Sequence, residues 1–370
     1  MEKIMDKLSF KNTLIIGITL FSMFFGAGNL IFPPLIGAKS GEQFVLAILG
    51  FILTAVVIPT VAVIVVSKHR GLKNITDRFH PKFTLIFITL VYLLIGPCVA
   101  IPRTASTSFE MTLAPFISSS FLSQMIYAFL FFILAGYAAL HPNRLKDLLG
   151  KITAPILLIL IGILFLGTIF AVPFGLSSAT DSYANNAFIT GFVEGYQTMD
   201  ILAALNFGII ITLNIQALGV KKPGQIAKES MKAGVIAGIL LGTVYIITGY
   251  IGMHTSSVMS ASNNGAEVLS YAINSAFGSW GQWIVGAIFF IACFNVAAGL
   301  LSCCSEYFHE LAPKISYKNW LLIFTAFSFV VSSFGLDFIL EFSVPILSIM
   351  CPISIIIVLI GIILPYKENK

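Results

Sequence analysis

The sequence predicts an all-α integral membrane protein with about ten transmembrane helices. Three observations carry that expectation. Only 10% of the 370 residues are charged and 58% are hydrophobic, whereas a soluble domain carries about 25% charged residues. Long apolar runs recur along the chain, and a span needs roughly 20 residues at 1.5 Å rise to cross about 30 Å of hydrocarbon. The loops between the runs alternate in charge, as topology in a bilayer demands.

The runs lie at about 13–36, 44–66, 83–102, 121–140, 152–173, 192–215, 233–252, 280–304, 318–335 and 338–364. Lys3, Lys7 and Lys11 precede the first run. That run is too long for a signal-peptide core and lacks an A-x-A-like site, so it is expected to stay as the first span. Lys68, Arg70, Lys73, Arg78 and Lys82 follow the second run, and Arg144, Lys146 and Lys151 the fourth. Lys221, Lys222, Lys228 and Lys232 follow the sixth, Lys314 and Lys318 the eighth, and Lys367 and Lys370 the tenth. Of the 21 basic residues, 19 therefore fall on one side, leaving Lys39 and Arg103 on the other. Positive-inside bias assigns the basic side, with both termini, to the cytoplasm and supports an even number of spans. The net charge of +5 is thus a topology signal, not a nucleic-acid patch.

The outer connections carry Glu42, Glu110, Asp181, Glu267, Asp337 and Glu341 instead. Residues 255–265 (TSSVMSASNNG) read as a polar outer loop. No low-complexity linker divides the chain, so residues 1–370 read as one membrane domain, with halves at about 13–173 and 192–364. The five cysteines sit in apolar stretches without a C-x-x-C pair, as small buried hydrophobes do. They suggest neither a disulfide framework nor a metal site.

The first span is interrupted. Ser22-Met23-Phe24-Phe25-Gly26-Ala27-Gly28-Asn29 runs on to Pro33-Pro34, with the break expected at residues 26–29. Two glycines loosen the backbone and two prolines remove N–H donors. In lipid an unpaired backbone group costs several kcal/mol unless protein or a water-filled cavity satisfies it. The first span of the second half carries its own anomaly, Gly191 to Asp200 (GFVEGYQTMD). Interrupted helices at matching positions of two halves point to a five-plus-five inverted repeat around a binding site, which makes the chain a candidate carrier. Free N–H groups at half-helix N-termini suit a carboxylate, and free carbonyls at half-helix C-termini suit a cation or an ammonium. A zwitterion needs both.

Within these breaks Gly26 and Gly28 let backbone approach a ligand, Asn29 offers an amide, Thr198 a hydroxyl and Asp200 a carboxylate. A Gly pair alone would more simply mark helix packing; Asn29, the prolines and the second break argue for a site. Asp200 is an intramembrane acid, functional by default. Glu194 is equally consistent with a boundary residue. Ser302, in the eighth span, offers a hydroxyl to a cation or to its own helix four residues back. Arg103, after Pro97 and Pro102, reads as the outer end of the third span and as one half of an outer gate with Glu194 or Glu341. No H-E-x-x-H, G-x-S-x-G or P-loop is present, and the five histidines form no cluster, which argues against an enzyme.

At these residues the chain resembles the bacterial branched-chain amino acid:cation symporters, the system II carriers. The resemblance rests on FFGAGNLIFPP (24–34), IGPCVAIPRTASTSFE (95–110), EGYQTMD (194–200) and AGLLSCCSEYF (298–308), which occur in family order. It implies a leucine-transporter-like fold with broken first and sixth helices, in a bacterial plasma membrane. It implies uptake of leucine, isoleucine or valine by alternating access, coupled to Na+ or H+ and needing no cofactor. An uncoupled exchanger and a non-transporting sensor are the alternatives. Substrate would lie against Phe24, Gly26, Ala27, Gly28 and Asn29 of the first helix. From the sixth helix Gly195, Tyr196, Gln197, Thr198 and Asp200 would face it. Na+ would sit among Ser22, Phe25, Ala298 and Ser302, with Arg103 and Glu194 as a gate. Two departures stand out: Leu301 precedes Ser302 where relatives tend to have a second hydroxyl, and relatives usually have about twelve spans.

Overall fold

The computed structural model describes residues 7–117, 120–262 and 264–364. Lys3, Lys367 and Lys370 of the charge count and Asn263 of the outer loop lie outside them, as do the side chains of Lys146, Asp181 and Asp337. Among the described residues every regular element is helical.

In the first half, α1 (Phe10–Phe24) opens at Ser9, whose hydroxyl accepts the Asn12 N–H at 3.3 Å, an N-cap for one of the orphan donors of the first turn. The helix stops at Phe25 (φ −75°, ψ 95°), and α2 (Ala27–Ser40) restarts from an extended Gly26. The break is therefore at residues 25–26, just ahead of the expected 26–29. Gly28 and Asn29 belong to the first turn of α2, because the Asn29 Oδ1 accepts the Gly26 N–H at 3.1 Å and caps the new helix. α3 (Phe44–Ile52) and α4 (Ile58–Lys68) form the second span around a π turn, and the short α5 (Lys73–Thr76) follows. α6 (Pro81–Leu93) and α7 (Ala100–Thr112) form the third, joined by a π turn at Leu94–Cys98 that holds Pro97. α8 (Phe121–Ala139) is the fourth, and α9 (Pro142–Leu148) leads into α10 (Ala154–Ala171), the fifth.

The third span runs ten residues past its expected end at 102. Its hydroxyls return to the helix: Thr104 Oγ1 donates to the Ile101 carbonyl at 2.6 Å and Ser106 Oγ to that of Pro102 at 3.4 Å. This polar stretch thus returns two of its hydroxyls to its own helix, while Thr107 Oγ1 is buried without a partner among the described residues.

The second half repeats the pattern. α11 (Asp181–Glu194) and α12 (Asp200–Ala217) flank a 3-10 turn, Gly195–Thr198. The sixth span was expected from 192; its first half-helix begins at Asp181, in a polar stretch that reads as loop and leaves helical geometry only at Asn186. α13 (Pro223–His254), α14 (Ser256–Met259), α15 (Gly265–Phe277), α16 (Ser279–Leu311), α17 (Tyr317–Ser332) and α18 (Leu336–Ile363) complete it. α15 was not expected; it lies on the outer connection against α2 and α16.

α2 and α1 pack on α13, α12 on α4, α11 on α3, and α7 on α16. The α2–α13 crossing is backbone on backbone. A Cβ on Gly37 would overlap the Gly249 carbonyl oxygen, and one on Gly252 the Pro34 carbonyl oxygen, the small-residue packing that brings membrane helices close. Phe129, Leu130, Ile159, Leu166, Leu322 and Ile356 lie exposed on the outside of the bundle, where hydrocarbon would cover them.

Candidate functional site

The two breaks face each other at the centre. On one side the chain leaves α1 at Phe25. On the other, Met199 takes left-handed backbone (φ 63°, ψ 11°), so that α12 starts at Asp200. For a residue other than glycine that geometry costs about 1–2 kcal/mol. Such strain clusters at working sites. It delivers Asp200 to the N-terminus of α12, the end of a helix that favours an anion.

Asp200 is 2% exposed and tied from two directions. Asn29 Nδ2 donates to its Oδ2 at 2.7 Å, and the Tyr245 hydroxyl, from α13, donates to the same oxygen at 3.0 Å. Asn29 also donates to the Tyr245 hydroxyl. Thr198 Oγ1 donates to the Gly195 carbonyl at 2.9 Å and accepts the Asp200 N–H at 3.4 Å, which stiffens the turn. One carboxylate thereby joins α2, α12 and α13.

Arg103 is not at the outer end of its span. It is 4% exposed, in the first turn of α7 and so well inside the span, and its Nη1 donates to the Gln197 carbonyl at 3.0 Å. The expected pairing with Glu194 or Glu341 is not made here; Glu194 lies at the end of α11 within electrostatic reach of Lys39. The polar sequence around Arg103 imitates a boundary, but the helix continues beyond it.

A small chamber of about 30 Å³ lies between these groups, room for about one or two waters. Phe24, Gly26, Ala27, Gly28, Asn29, Thr198 and Asp200 line it, together with Arg103. Its apolar wall adds Ile95, Phe207 and Val296, and the rings of Phe24 and Phe207 meet edge to face at 5.3 Å. Gly195, Tyr196 and Gln197 form the turn behind it.

The expected cation ligands divide. Ser22 is fully buried and accepts from Asn295 Nδ2 at 2.8 Å. The other amide atom, Asn295 Oδ1, is buried without a partner. Ala298 follows one turn along α16 on the same face. Ser302 is a further turn away, accepts from the Tyr317 hydroxyl at 3.3 Å and lines a different cavity. Phe25 is buried against the rings of Phe21 and Tyr245. Tyr245 and Asn295 were missed as candidates, the first hidden in an unbroken apolar span, the second only passed over within the eighth.

That larger cavity holds about 530 Å³ and opens beside Arg70, Lys73, Glu306 and Glu310, on the basic side of the bundle. Met23 lines both it and the chamber.

Several solved structures share this architecture. MhsT in complex with L-phenylalanine superposes with a TM-score of 0.63 at 16% identity, covering 95% of this chain and 88% of that one. A Na+-coupled sialic acid symporter in a substrate-bound, outward-open state gives 0.61 at 15%, covering 95% and 78%. The nucleobase-cation-symport-1 family transporter Mhp1 gives 0.58 at 12%, covering 94% and 77%. Identities this low speak to the fold alone, which is leucine-transporter-like. Together with the transporter family that its sequence matches, this fold makes the chain a membrane transporter rather than an enzyme. Two Staphylococcus aureus proteins, from strains bovine RF122 / ET3-1 and MRSA252, are each provisionally named a branched-chain amino acid carrier. Both are 40% identical over 378 residues, covering 97% of this chain and 84% of theirs. Residues 9–370 match the family described as branched-chain amino acid transport protein, and the chain belongs to that family.

Proposed function

We propose that this chain takes up leucine, isoleucine or valine across a bacterial plasma membrane together with a cation, Na+ or H+, by alternating access. The observation that carries the reading is Asp200, a buried carboxylate fixed by Asn29 and Tyr245 at the meeting of both broken helices. A carboxylate there suits an ammonium group, and the first turn of α2 suits a carboxylate. The apolar wall of Phe24, Ile95, Phe207 and Val296 suits a branched aliphatic side chain, at about 25 cal/mol per Å² buried. Support for the cation comes from Ser22 Oγ and the unpartnered Asn295 Oδ1, two oxygens of the kind a hard cation prefers. Ser302, two turns from Asn295 along α16, belongs to the exit path in this reading. The basic side is cytoplasmic, so the larger cavity opens inward. Glu194 with Lys39 closes the outer side.

The test is uptake of radiolabelled leucine into proteoliposomes, with and without an inward Na+ or H+ gradient. Accumulation driven by one of the gradients, competed by isoleucine and valine but not by lysine or glutamate, is expected. Asp200→Asn is expected to lower uptake about tenfold or more, the loss of one charge-assisted contact. Flux indifferent to both gradients would leave an uncoupled exchanger, and leucine binding without flux a sensor.

A further inference from the structure

We infer that Arg103 binds the carboxylate of the substrate, so that Arg103 and Asp200 hold the two ends of a zwitterion across the chamber. This rests on the amino-acid reading above and names how that site recognises its ligand.

Among the described residues Arg103 is a buried cation without a matching anion in contact. A guanidinium has five N–H donors. Its one hydrogen bond to the described residues is the donation from Nη1 to the Gln197 carbonyl. Asp200 feels the Arg103 charge but makes no ion pair with it; its side-chain hydrogen bonds, both on Oδ2, come from Asn29 and Tyr245. Arg103 Nη2 lies against the start of α2: a Cβ on Gly28 would stand 2.8 Å from it and 3.2 Å from the Thr198 Cα. A cation there faces the partially positive end of a half-helix, an arrangement that favours an anion between the two. A buried charge is costly until it is paired.

Asp200 does not supply that anion in this structure: its side-chain hydrogen bonds run to Asn29 and Tyr245, and the one from Arg103 goes to the Gln197 carbonyl. An entering carboxylate can supply it, since the planar guanidinium fork donates to both of its oxygens. The ammonium end would then face Asp200 across the chamber, which both residues line. Gly28 follows from the same geometry, since any side chain there displaces the guanidinium. The chamber must widen for this, and the Phe24–Phe207 contact is the part of its wall with no hydrogen bond to lose.

The test uses the full chain in lipid nanodiscs and reads the ligand-induced rise of the thermal unfolding midpoint. The probes are leucine and 3-methylbutylamine, which is leucine without its carboxylate. The unchanged protein is expected to prefer leucine about 10- to 100-fold, the scale of a charged hydrogen-bonded contact. Arg103→Gln should bring that ratio close to one by weakening leucine alone, Arg103→Lys should keep part of it, and Gly28→Ala should shrink it. The ratio is taken within one variant, so a general loss of stability cancels. Should Arg103→Gln not yield folded protein, Gly28→Ala and Arg103→Lys decide by the same ratio. A ratio that stays at its original value in the variants overturns the arginine assignment. Failure of leucine to shift the unchanged protein, with or without Na+, overturns the amino-acid reading and this inference with it.

Discussion

Tyr245 and Asn29 converge on a single oxygen of Asp200, and that convergence sets the first expectation at the scale of one residue. Tyr245→Phe keeps the ring that packs on Phe25 and Phe51 and removes only the hydroxyl. A hydrogen bond to a charged group contributes about 1.5–3 kcal/mol, so leucine uptake should fall about tenfold or more while the unfolding midpoint moves little. Asn295→Ala removes the amide that bonds Ser22 and offers the free oxygen. The Na+ concentration for half-maximal uptake should rise about tenfold, with leucine affinity at saturating Na+ nearly unchanged, the separation a ligand of the ion alone would produce. Asn29 and Asp200 could be read from the sequence because polar residues in apolar runs stand out. Tyr245 could not: a tyrosine in a long apolar helix looks like lining, and it sits 45 positions from its partner. Arg103 was visible and misjudged, since prolines and hydroxyls beside it imitate the end of a span.

The elements show why the spans were legible and their joints were not. Length and hydropathy mark a helix that lipid must cover, and the ten apolar runs each became a span. They do not mark α11, whose first residues are polar, or α15, which lies on the outer connection. The break in the first helix moved by a residue or two because Asn29 caps α2 instead of standing in the gap. The α2–α13 crossing gives a prediction at this scale. Gly252→Val would drive a side chain into the Pro34 carbonyl, and overpacking of this kind costs about 1–3 kcal/mol. A clear fall in the unfolding midpoint is expected. Gly242→Ala, in the same helix with nothing within 4 Å of the added Cβ, should leave the midpoint level or raise it slightly, since alanine favours the helix.

For the whole molecule the question is how much work the two halves can do on a solute. One cation crossing 100 mV gains about 2.3 kcal/mol and a tenfold gradient adds roughly 1.4. Their sum permits roughly 500-fold accumulation of a net-neutral substrate; a measured ratio well above that would require a second ion. The charge asymmetry of the loops gives an expected orientation for such a machine, whereas the closed state of its chamber depends on side-chain packing that no hydropathy profile contains.

The place of Met23, on the lining of both cavities, has a consequence for kinetics. An unbranched thioether can change rotamer without moving a helix, while parting packed helices takes microseconds to milliseconds. In the proposed alternating-access cycle, departure of the solute through the larger cavity is then expected to be quick, and the slow leg to be the return of the vacant carrier, which must part packed helices. Unlabelled leucine loaded inside vesicles should then accelerate entry of labelled leucine several-fold over empty vesicles; equal rates would place the bottleneck at the methionine.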